Sequence, residues 1–198
     1  MVIKKAVYKT SVTNIKNILD DGVPEFAFVG RSNVGKSSLI NALTNTKSLA
    51  KASATPGKTK MINYFEINDS FRFVDLPGYG YAKTGKVHQE VWSELIGKYL
   101  EESKSLVTIF VLVDIRHLPT VQDMQMVEFL IYNQLPFMLI ATKADKIAKS
   151  KYKSSIQAKA KQLKVREEMF IPFSSQSGYG KERVLNYIEN KLEDINGK

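Results

Sequence analysis

Cysteine is absent from this chain of 198 residues, and histidine occurs only twice. The absence of cysteine excludes disulfide bonds and zinc sites with thiolate ligands, and it favours a reducing compartment. His88 and His117 lie far apart without the spacing of a metal site, so we interpret both as ordinary surface or loop residues.

Long hydrophobic runs are also missing. The longest strongly apolar run, residues 106–113, is much shorter than the roughly 20 residues with which a helix crosses a bilayer. A secretory signal is not visible, because Lys4 and Lys5 are followed by polar sequence rather than by an apolar core. We therefore expect a cytoplasmic protein without a membrane span.

What remains is the composition of an ordinary globular domain, with 43% hydrophobic and 25% charged residues. A chain of this length predicts one domain. Residues 1–24 form a polar lead-in that ends in the turn signal Asp-Asp-Gly-Val-Pro, and we expect an edge strand or an extended arm there. The predicted domain covers residues 25–195, without an internal repeat or a linker, and we expect a monomer.

A glycine-rich segment, residues 30–37, fits the pattern G-x-x-x-x-G-K-[ST] of a phosphate-binding loop. The short apolar run 25–29 before it predicts a strand, and the apolar spacing of residues 38–43 predicts a helix after it. In that geometry, successive backbone N–H groups and the positive end of the helix dipole converge on an anion.

Four residues of this loop carry the expected chemistry. Gly30 and Gly35 permit the turn and the close approach of a phosphate. Lys36 would contact the β and γ phosphates, and the Ser37 hydroxyl would ligate Mg²⁺. The alternative, a glycine turn without a ligand, is disfavoured by the Lys-Ser ending and by the apolar strand in front.

Basic residues dominate two segments of the chain, whose net charge is +9. Residues 26–65 contain no acidic residue, and a bound nucleotide would account for part of that positive field. Residues 143–166 hold nine Lys and Arg against Asp145 alone, a net charge of +8. Two interpretations stay open for this second segment: a solvated lysine-rich helix face, or a surface for a polyanion, for which we favour RNA.

Strand and helix patterns alternate along the rest of the chain. Residues 61–67 and 71–74 alternate in polarity across Asn-Asp-Ser, which predicts an antiparallel hairpin. The further predicted strands are 106–113, 137–141 and 169–173. The further predicted helices are 87–100, 120–132, a lysine-rich helix between the last two strands, and 181–193. Trp92 is expected on the packing face of the first of these helices, and Tyr152, Ile156 and Leu163 on the inner side of the lysine-rich helix. The alternation predicts an α/β fold: a mostly parallel sheet with one antiparallel hairpin strand and with helices on both faces.

Three further stretches lie at the ends of predicted strands, where ligands bind in open α/β sheets. Asp75 could hold Mg²⁺ through water, and the Gly78 backbone N–H could bond a γ-phosphate. Asp145 could accept from guanine N1–H and N2–H₂ together, while the stem of Lys143 covers the ring. Adenine cannot satisfy that aspartate, which gives discrimination on the order of 10⁴ to 10⁵. Residues 174–176 could offer a backbone N–H to guanine O6.

The order of these motifs resembles that of the translation-factor-related small GTPases. Their five motifs are similar to residues 30–37, Thr59, 75–78, 142–145 and 174–176 of this chain. More narrowly, Gly-Arg-Ser-Asn-Val-Gly-Lys-Ser-Ser, Pro-Gly-Lys-Thr, Asp-Leu-Pro-Gly-Tyr-Gly-Tyr-Ala and Ala-Thr-Lys-Ala-Asp-Lys resemble the EngB (YihA/YsxC) family. The resemblance implies a single Ras-like domain, GTP or GDP binding with Mg²⁺, GTPase activity, and a role in maturation of the large ribosomal subunit with a link to normal cell division and septation.

The motifs and the resemblance together imply a set of site residues. Mg²⁺ would be held by Ser37, Thr59 and, through water, Asp75, and the residues expected to act in hydrolysis are Asn33, Lys36, Thr59 and Gly78. The predicted nucleotide-binding residues are Gly30, Arg31, Ser32, Asn33, Val34, Gly35, Lys36, Ser37, Ser38, Gly57, Lys58, Thr59, Lys60, Met61, Asp75, Leu76, Pro77, Gly78, Thr142, Lys143, Ala144, Asp145, Ser174, Ser175 and Gln176.

One position departs from the pattern of better-known GTPases. Where many of them carry a glutamine that orients the attacking water, this chain has Tyr79. A phenol has no amide to present to both water and phosphate, so we expect slow intrinsic hydrolysis. Asn33 matches the loop asparagine with which related GTPases hold K⁺ against the phosphates, where a fixed cation could offset developing negative charge. The alternative role for Asn33 is a hydrogen bond to the loop backbone.

The leading hypothesis is a GTPase switch whose GTP-bound form engages ribosomal RNA or a large-subunit precursor particle. A second hypothesis is a nucleotide-gated RNA-binding or scaffold protein in which hydrolysis is incidental. A P-loop kinase or ATPase is disfavoured, because residues 142–145 would have no role when adenine is bound.

Overall fold

Seven strands form one sheet in the part of the chain that the computed structural model describes, residues 1–50, 61–79 and 85–197, with the backbone alone for residues 85–93. The strands are β1 (Ala6–Val12), β2 (Glu25–Gly30), β3 (Ile62–Ile67), β4 (Phe71–Asp75), β5 (Leu106–Asp114), β6 (Phe137–Thr142) and β7 (Phe170–Pro172). Each predicted strand is found within a few residues of its expected bounds.

The sheet order is β1-β3-β4-β2-β5-β6-β7. Strands β4, β2, β5, β6 and β7 are parallel neighbours in that order. Strand β3 pairs antiparallel with both β1 and β4, so it is the one strand of reversed direction, as the hairpin pattern predicts. The carboxyl ends of the five parallel strands therefore meet at one edge, where a crevice for ligands forms.

Five helices cover the two faces of the sheet within the described residues. They are α1 (Lys36–Thr44), α2 (Gly85–Glu102), α3 (Val121–Tyr132), α4 (Tyr152–Leu163) and α5 (Lys181–Ile195). Helices α1 and α5 share one buried cluster, and α2, α3 and α4 share the other. The predicted layers, with helices on both faces, are confirmed.

Alternation along the central strands explains why both faces are covered. In β2, Phe26 and Phe28 belong to one buried cluster, whereas Ala27 and Val29 belong to the other. Successive side chains of a strand point to opposite faces, so an apolar run without alternating polar positions must be buried on both sides. The β5 run behaves in the same way, and its Phe110 stacks on Phe28 with ring centroids 5.2 Å apart.

Helix α3 begins one residue later than its pattern predicts. Thr120 is the N-cap, and its side chain accepts a hydrogen bond from the backbone N–H of Asp123, whose carboxylate in turn accepts from the Thr120 N–H. This capping box satisfies two N–H groups that the first helical turn leaves without intrahelical partners. The side chain of Trp92, expected on the packing face of α2, lies outside the described residues.

A buried charged group lies at the amino end of β2, away from the phosphate-loop end of the strand. The Glu25 side chain is fully buried, and its Oε2 accepts from the Tyr99 hydroxyl of α2 at 2.8 Å. Arg72 of β4 lies 3.6 Å from Oε1 and donates to both carboxylate oxygens of Asp21. Burial raises the pKa of Glu25 to about 7 despite these partners. Through these contacts, Glu25 connects β2 with Arg72 of β4 and Tyr99 of α2.

Strand β1 forms one edge of the sheet. Of the two expectations for the lead-in, an edge strand or an extended arm, the structure shows the edge strand. Its pairing with β3 shifts register between Tyr8 and Thr10, so a bulge lies at Lys9. The Lys9 ammonium pairs with Glu66 of β3 at 2.9 Å. At the other edge, β7 is only three residues long. In the described residues, no helix is long and apolar enough to cross a membrane.

Candidate nucleotide site

The phosphate loop joins β2 to α1 as the motif predicts. A Cβ added to Gly30 would lie 2.9 Å from the Val34 side chain and 3.0 Å from Leu112, so a larger residue cannot stand there. Gly35 has a φ of 107°, a left-handed conformation that glycine adopts readily. Asn33 also has a positive φ, 63°, which asparagine tolerates better than most residues. The loop thus turns back on itself before α1 begins.

Lys36 and Asp75, which are predicted to bind different ligands, contact each other at this loop. The ammonium of Lys36, expected on phosphate, donates to Oδ1 of Asp75, expected near Mg²⁺. Asp75 is the last residue of β4 and is 5% exposed. The parallel pairing of β4 with β2 brings the Asp75 carboxylate to the phosphate loop, and this makes the two side chains neighbours.

The segment after Asp75 runs directly beside the phosphate loop. The backbone of Tyr79 exchanges two hydrogen bonds with it: its N–H donates to Gly30 O, and its carbonyl accepts from Ser32 N, both at 3.3 Å. A Cβ added to Gly78 would lie 3.3 Å from Ser32 N. Gly78 therefore stands at the loop whose N–H groups are predicted to hold phosphate, as its expected contact requires.

The side chain of Tyr79 points away from the phosphate loop and into the core. It is 3% exposed, and its hydroxyl donates to Oδ1 of Asp123 at 2.8 Å. Burial and the Asp123 charge raise the pKa of Tyr79 well above its ordinary value, so the phenol stays neutral. The residue in the glutamine position is therefore tied to α3, a role for Asp123 that the sequence analysis missed.

On the other side of the site, Thr142 and Lys143 fasten the end of β6 to the phosphate loop. The Thr142 hydroxyl lies 2.7 Å from Val34 O and 3.1 Å from Val113 O. Lys143 has a φ of 60°, and its ammonium donates to Asn33 O at 2.9 Å. This bond holds the aliphatic part of the Lys143 side chain beside the phosphate loop, a position compatible with its predicted role of covering a base.

Asp145, the predicted guanine acceptor, is held by Ser174 from the neighbouring strand end. The Ser174 hydroxyl donates to Oδ1 of Asp145 at 2.7 Å, and this hydrogen bond lowers the pKa of Asp145 below its usual range. Ser174 donates its own N–H to Tyr179 O at 3.0 Å, so it cannot be the donor to guanine O6. Ser175 and Gln176 remain the candidates, because their N–H groups have no acceptor in the described part of the chain.

A cavity of about 530 Å³ borders the outer side of the phosphate loop and extends to the start of α3. Asp114, at the end of β5, lines it together with Arg116, which donates to both Asp114 oxygens at 2.9 and 2.7 Å. Lys143 lies 3.0 Å from the same carboxylate. Although burial opposes it, these cations lower the pKa of Asp114. The strand-end rule that indicated Asp75 also applies to Asp114, so the position of Asp114 at the end of β5 was a signal in the sequence for this part of the site.

Asn33 is exposed, and its side-chain amide forms no hydrogen bond to the described residues. A bond to the loop backbone, the alternative role considered for this residue, is therefore not seen in the described chain. Its predicted role toward a cation stays a prediction. Gly57, Lys58, Thr59 and Lys60 lie outside the described residues, and Met61, the next predicted site residue, is 39% exposed.

Helix α4, its C-cap and the turn before it carry exposed cations, the first of them four residues after Asp145. We call this the lysine surface: Lys149, Lys151, Lys153, Lys161 and Lys164. None of the five forms an ion pair with an acidic side chain in the described chain. Lys153 and Lys161 lie on the same side of α4, and Lys164 is its C-cap. The segment thus presents positive charge that no part of the described protein neutralises.

One lysine of the predicted basic segment is buried. Lys159 is 2% exposed, and its ammonium donates to Ile115 O at 2.8 Å and to Ser155 Oγ at 2.9 Å. Burial lowers its pKa. Its spacing from Tyr152 and Leu163, seven and four residues, puts Lys159 on the inner side of α4, a signal that the charge count overlooked.

Comparison with known proteins finds relatives over nearly the whole chain. Residues 25–143 match the family model of the 50S ribosome-binding GTPases. The chain is 45% identical over 190 residues to a probable GTP-binding protein EngB of Prosthecochloris aestuarii, covering 96% of this chain and 98% of that protein. It is 44% identical over 194 residues to the corresponding protein of Oceanobacillus iheyensis, covering 98% and 100%.

Solved structures share the fold. The crystal structure of a probable GTP-binding protein EngB matches with a TM-score of 0.70 and 26% identity, covering 86% of this chain and 99% of that one. A variant of Era from Aquifex aeolicus, bound to GDP and AlF₄⁻, matches with a TM-score of 0.66 and 25% identity, covering 85% and 56%. These neighbours confirm the predicted Ras-like arrangement of sheet and helices.

Proposed function

This chain belongs to the EngB family of GTP-binding proteins and has the P-loop GTPase domain of that family, and we propose that it is a nucleotide-dependent switch in assembly of the large ribosomal subunit. The observation that carries the proposal is the position of the lysine surface, which begins four residues after Asp145. A partner bound on that surface lies beside the nucleotide site, and the segment that would respond to the γ-phosphate is the one after Asp75, whose backbone is bonded to the phosphate loop. In this proposal residues 25–195 act as the GTP-binding domain, with β1 as its edge strand.

Recognition of guanine rests on Asp145. One of its oxygens accepts from Ser174, and each carboxylate oxygen can accept more than one hydrogen bond, so both can face guanine N1–H and N2–H₂. Adenine would leave this acceptor unpaired. Ser175 or Gln176 would donate to guanine O6, and the Lys143 stem would cover the ring. The pKa of Asp145 is lowered, so the carboxylate stays charged and able to accept at neutral pH.

Phosphates would be held by the loop N–H groups and by Lys36. The donor set fits Mg²⁺ bound through a nucleotide: Ser37 and Asp75 supply a hydroxyl and a carboxylate, as a hard cation prefers. The described residues contain no group of three or more His, Cys, Asp or Glu that could hold a metal ion without other ligands. When bound, Mg²⁺ would neutralise phosphate charge. Lys36 would leave Asp75 for phosphate oxygens.

Hydrolysis of GTP is proposed to be slow. With the Tyr79 ring buried against α3, no side chain at that position reaches toward a γ-phosphate. The backbone of the same segment lies at the loop, so Gly78 can still contribute its N–H. The segment after Asp75 can therefore stabilise the γ-phosphate through the Gly78 N–H but has no side chain that activates water. Activation of water would come from a bound cation or from the ribosomal partner.

The proposed partner is ribosomal RNA or a precursor of the large subunit. Five exposed lysines, which form no ion pair with the described residues, provide the cations that phosphates bind. The family description, 50S ribosome-binding GTPase, favours the same partner. Assembly of ribosomes would place the protein in the cytoplasm, and the resemblance to EngB extends the proposal to normal cell division and septation.

Co-sedimentation with ribosomal subunits, comparing GDP with a non-hydrolysable GTP analogue, tests the proposal. We expect the large subunit or its precursors to carry the protein down, more strongly with the analogue. Glutamine at Lys149, Lys151 and Lys153 should weaken this binding and flatten its salt dependence by a slope of up to about three. As a matched control, glutamine at Lys5, Lys98 and Lys191, which are paired with Asp69, Glu94 and Asp194, should do neither.

Two outcomes would contradict this proposal. Absence of binding to any ribosomal particle would remove the ribosomal role and leave GTP binding intact. Binding that is equal with GDP and the analogue, together with hydrolysis that particles do not change, would favour the second candidate, an RNA-binding or scaffold protein with incidental hydrolysis. That candidate draws on the same lysine surface.

A further inference from the structure

An exposed aromatic ring lies beside the guanine side of the site, and the roles described above do not use it. Tyr179, on the loop between β7 and α5, is 38% exposed. Its ring meets Tyr152 edge-on, with centroids 5.5 Å apart and an angle of 66°. The Lys149 ammonium lies over one face of the Tyr179 ring, 5.6 Å from its centroid, so a base would stack on the part of the ring that this cation leaves open. We call these three side chains, Tyr152, Tyr179 and Lys149, the tyrosine platform.

Both rings are attached to the loops that would read guanine. The Tyr179 carbonyl accepts from the N–H of Ser174, whose hydroxyl donates to Asp145. The Tyr152 hydroxyl donates to Ala144 O at 2.8 Å. The platform is therefore one hydrogen bond away from each of the two guanine-reading loops. Those loops would contact the base of the nucleotide, which is identical in GTP and GDP.

The surroundings of the platform favour a polyanion that carries flat rings. Lys151 and Lys153 flank Tyr152 in the chain, are exposed, and form no ion pair with the described residues. Asp145, the single acid of residues 143–166, is already bonded to Ser174 and lies 3.1 Å from Lys146. Lysines meet phosphates, and a tyrosine face stacks on an unpaired base. An acidic peptide would use the lysines but would have no use for the ring.

We propose that the tyrosine platform binds an unpaired base of RNA, with the lysine surface binding the flanking phosphates. The proposal rests on the proposed function for its ligand and adds where and how that ligand is held. Single-stranded RNA fits and a continuous duplex does not, because paired bases keep their faces stacked. The platform is bonded to the guanine-reading loops, which do not contact the γ-phosphate. Its contribution to RNA affinity is therefore the same with GDP and with a GTP analogue.

The test uses the full chain and a single-stranded RNA of about ten nucleotides that carries 2-aminopurine, whose fluorescence is quenched on stacking. Tyr179→Ala should lower affinity about tenfold and remove the change in fluorescence, whereas Tyr179→Phe should keep both. Tyr132→Ala is the matched control, because Tyr132 is 85% exposed at the far end of α3. The loss in Tyr179→Ala should be equal with GDP and with the GTP analogue, and thermal unfolding should verify that each variant is folded.

Several results would overturn the platform. Tyr179→Ala binding RNA as well as the wild type, Tyr132→Ala losing as much, or a loss confined to the GTP analogue would each do so. An equal loss toward a polyglutamate probe would indicate an acidic protein partner instead. Co-sedimentation of the wild type keeps the two proposals apart: if ribosomal particles still bind while Tyr179→Ala is neutral, only the platform fails. If the wild type binds no particle, the proposed function fails.

Discussion

The guanine side and the phosphate side of the site are built differently. On the guanine side, polar side chains are bonded to neighbouring loops: Thr142 to Val34 O, and Ser174 to Asp145. On the phosphate side, the two charged groups expected to meet phosphate and Mg²⁺, Lys36 and Asp75, contact each other. In the proposed function the first set keeps these bonds when a base binds, with Lys146 also 3.1 Å from Oδ2 of Asp145, whereas Lys36 and Asp75 separate when phosphate and Mg²⁺ bind.

This difference indicates how the two halves divide the work of binding. A preformed acceptor loses little free energy to rearrangement, so its hydrogen bonds appear nearly in full as base specificity. A partly buried ion pair that must open offsets some of the energy of phosphate binding. In the proposed function the guanine side therefore sets which nucleotide binds, and the phosphate side responds to the number of phosphates that the nucleotide carries.

The largest expected effect tests the guanine side. In Asp145→Asn an amide donor faces a guanine donor, so the ratio of GTP to XTP affinity should fall by on the order of 10⁴. Titration with fluorescent guanosine and xanthosine nucleotides measures it. The matched control is Asp194→Asn at the exposed end of α5, which should leave the ratio unchanged. Unchanged GTP affinity in Asp145→Asn would remove this residue from the base pocket.

The next effect concerns the support of the phosphate side. Glu25 begins the strand that carries the phosphate loop, and its pKa of about 7 lies above the 4.5 of an ordinary glutamate. Below about pH 4.5 both the folded and the unfolded chain bind this proton. Between 4.5 and 7 the folded chain binds more protons than the unfolded chain, so the free energy of unfolding falls as pH rises, by about 3 kcal/mol in total. Above about pH 7 the loss is complete.

Urea unfolding at pH 5 and pH 8 measures this decline. Glu25→Gln should flatten it, whereas Glu101→Gln, on an exposed residue of α2, should not. Asp21 does not obscure the window, because its pKa is lowered to about 2 and its stabilisation is lost only below about pH 4. A wild type that is as stable at pH 8 as at pH 5 would contradict the assignment. The guanine preference should stay constant over the same range, since Asp145 keeps its charge there.

A smaller effect is expected at the junction of the phosphate side with α3. Tyr79→Phe removes a buried hydroxyl and leaves Oδ1 of Asp123 without its donor, which should lower the free energy of unfolding by about 1–2 kcal/mol. Affinity for a GTP analogue should fall relative to GDP, because the Tyr79 backbone positions the segment that holds Gly78 at the loop. Chemical denaturation and nucleotide titration measure the two effects.

Tyr187→Phe is the control for this junction. Tyr187 is half-buried against Phe110, and its hydroxyl forms no hydrogen bond in the described chain, so its loss should change neither quantity. If Tyr79→Phe also changed neither the free energy of unfolding nor the relative affinity for the GTP analogue, the bond to Asp123 would not support the phosphate side.

The smallest effect tests how hydrolysis is assisted. We expect low GTPase activity in Na⁺, a several-fold increase in K⁺, and loss of that increase in Asn33→Ala with GTP binding largely retained. The Asn33 amide has no hydrogen bond to the described residues, so its removal should spare the loop. Steady-state phosphate release in matched KCl and NaCl buffers, with Asn186→Ala as control, measures this. Identical rates in the two salts would leave the ribosomal partner as the activator.

The sequence was sufficient to predict the fold and the meeting of Asp75, Asp145 and Ser174 at one edge of the sheet. These predictions succeed because strand order and motif position depend on local patterns and on general rules of parallel sheets. The direction of the Tyr79 side chain was beyond such rules, because it depends on an acceptor 44 residues away on α3. The contact of Lys36 with Asp75 likewise depends on two elements meeting in space.

Lys159 is a different kind of miss, because its signal was present in the sequence. Its spacing from Tyr152, Ile156 and Leu163 puts it on the inner side of α4, yet its charge led us to count it with the surface lysines. A carbonyl acceptor on Ile115 and a hydroxyl on Ser155 make its burial tolerable. Such acceptors are supplied by the tertiary structure, so helical position was the better guide.

The bulge at Lys9 has a consequence for how copies of this protein behave at high concentration. An open edge strand is a template on which the edge of another molecule can pair, and such pairing leads to aggregation. The bulge interrupts the regular ladder of β1, and Lys9 places a charged side chain, paired with Glu66, on that strand. The opposite edge, β7, offers only three residues. Both edges therefore resist edge-to-edge growth, so a protein with a seven-stranded sheet can remain dispersed.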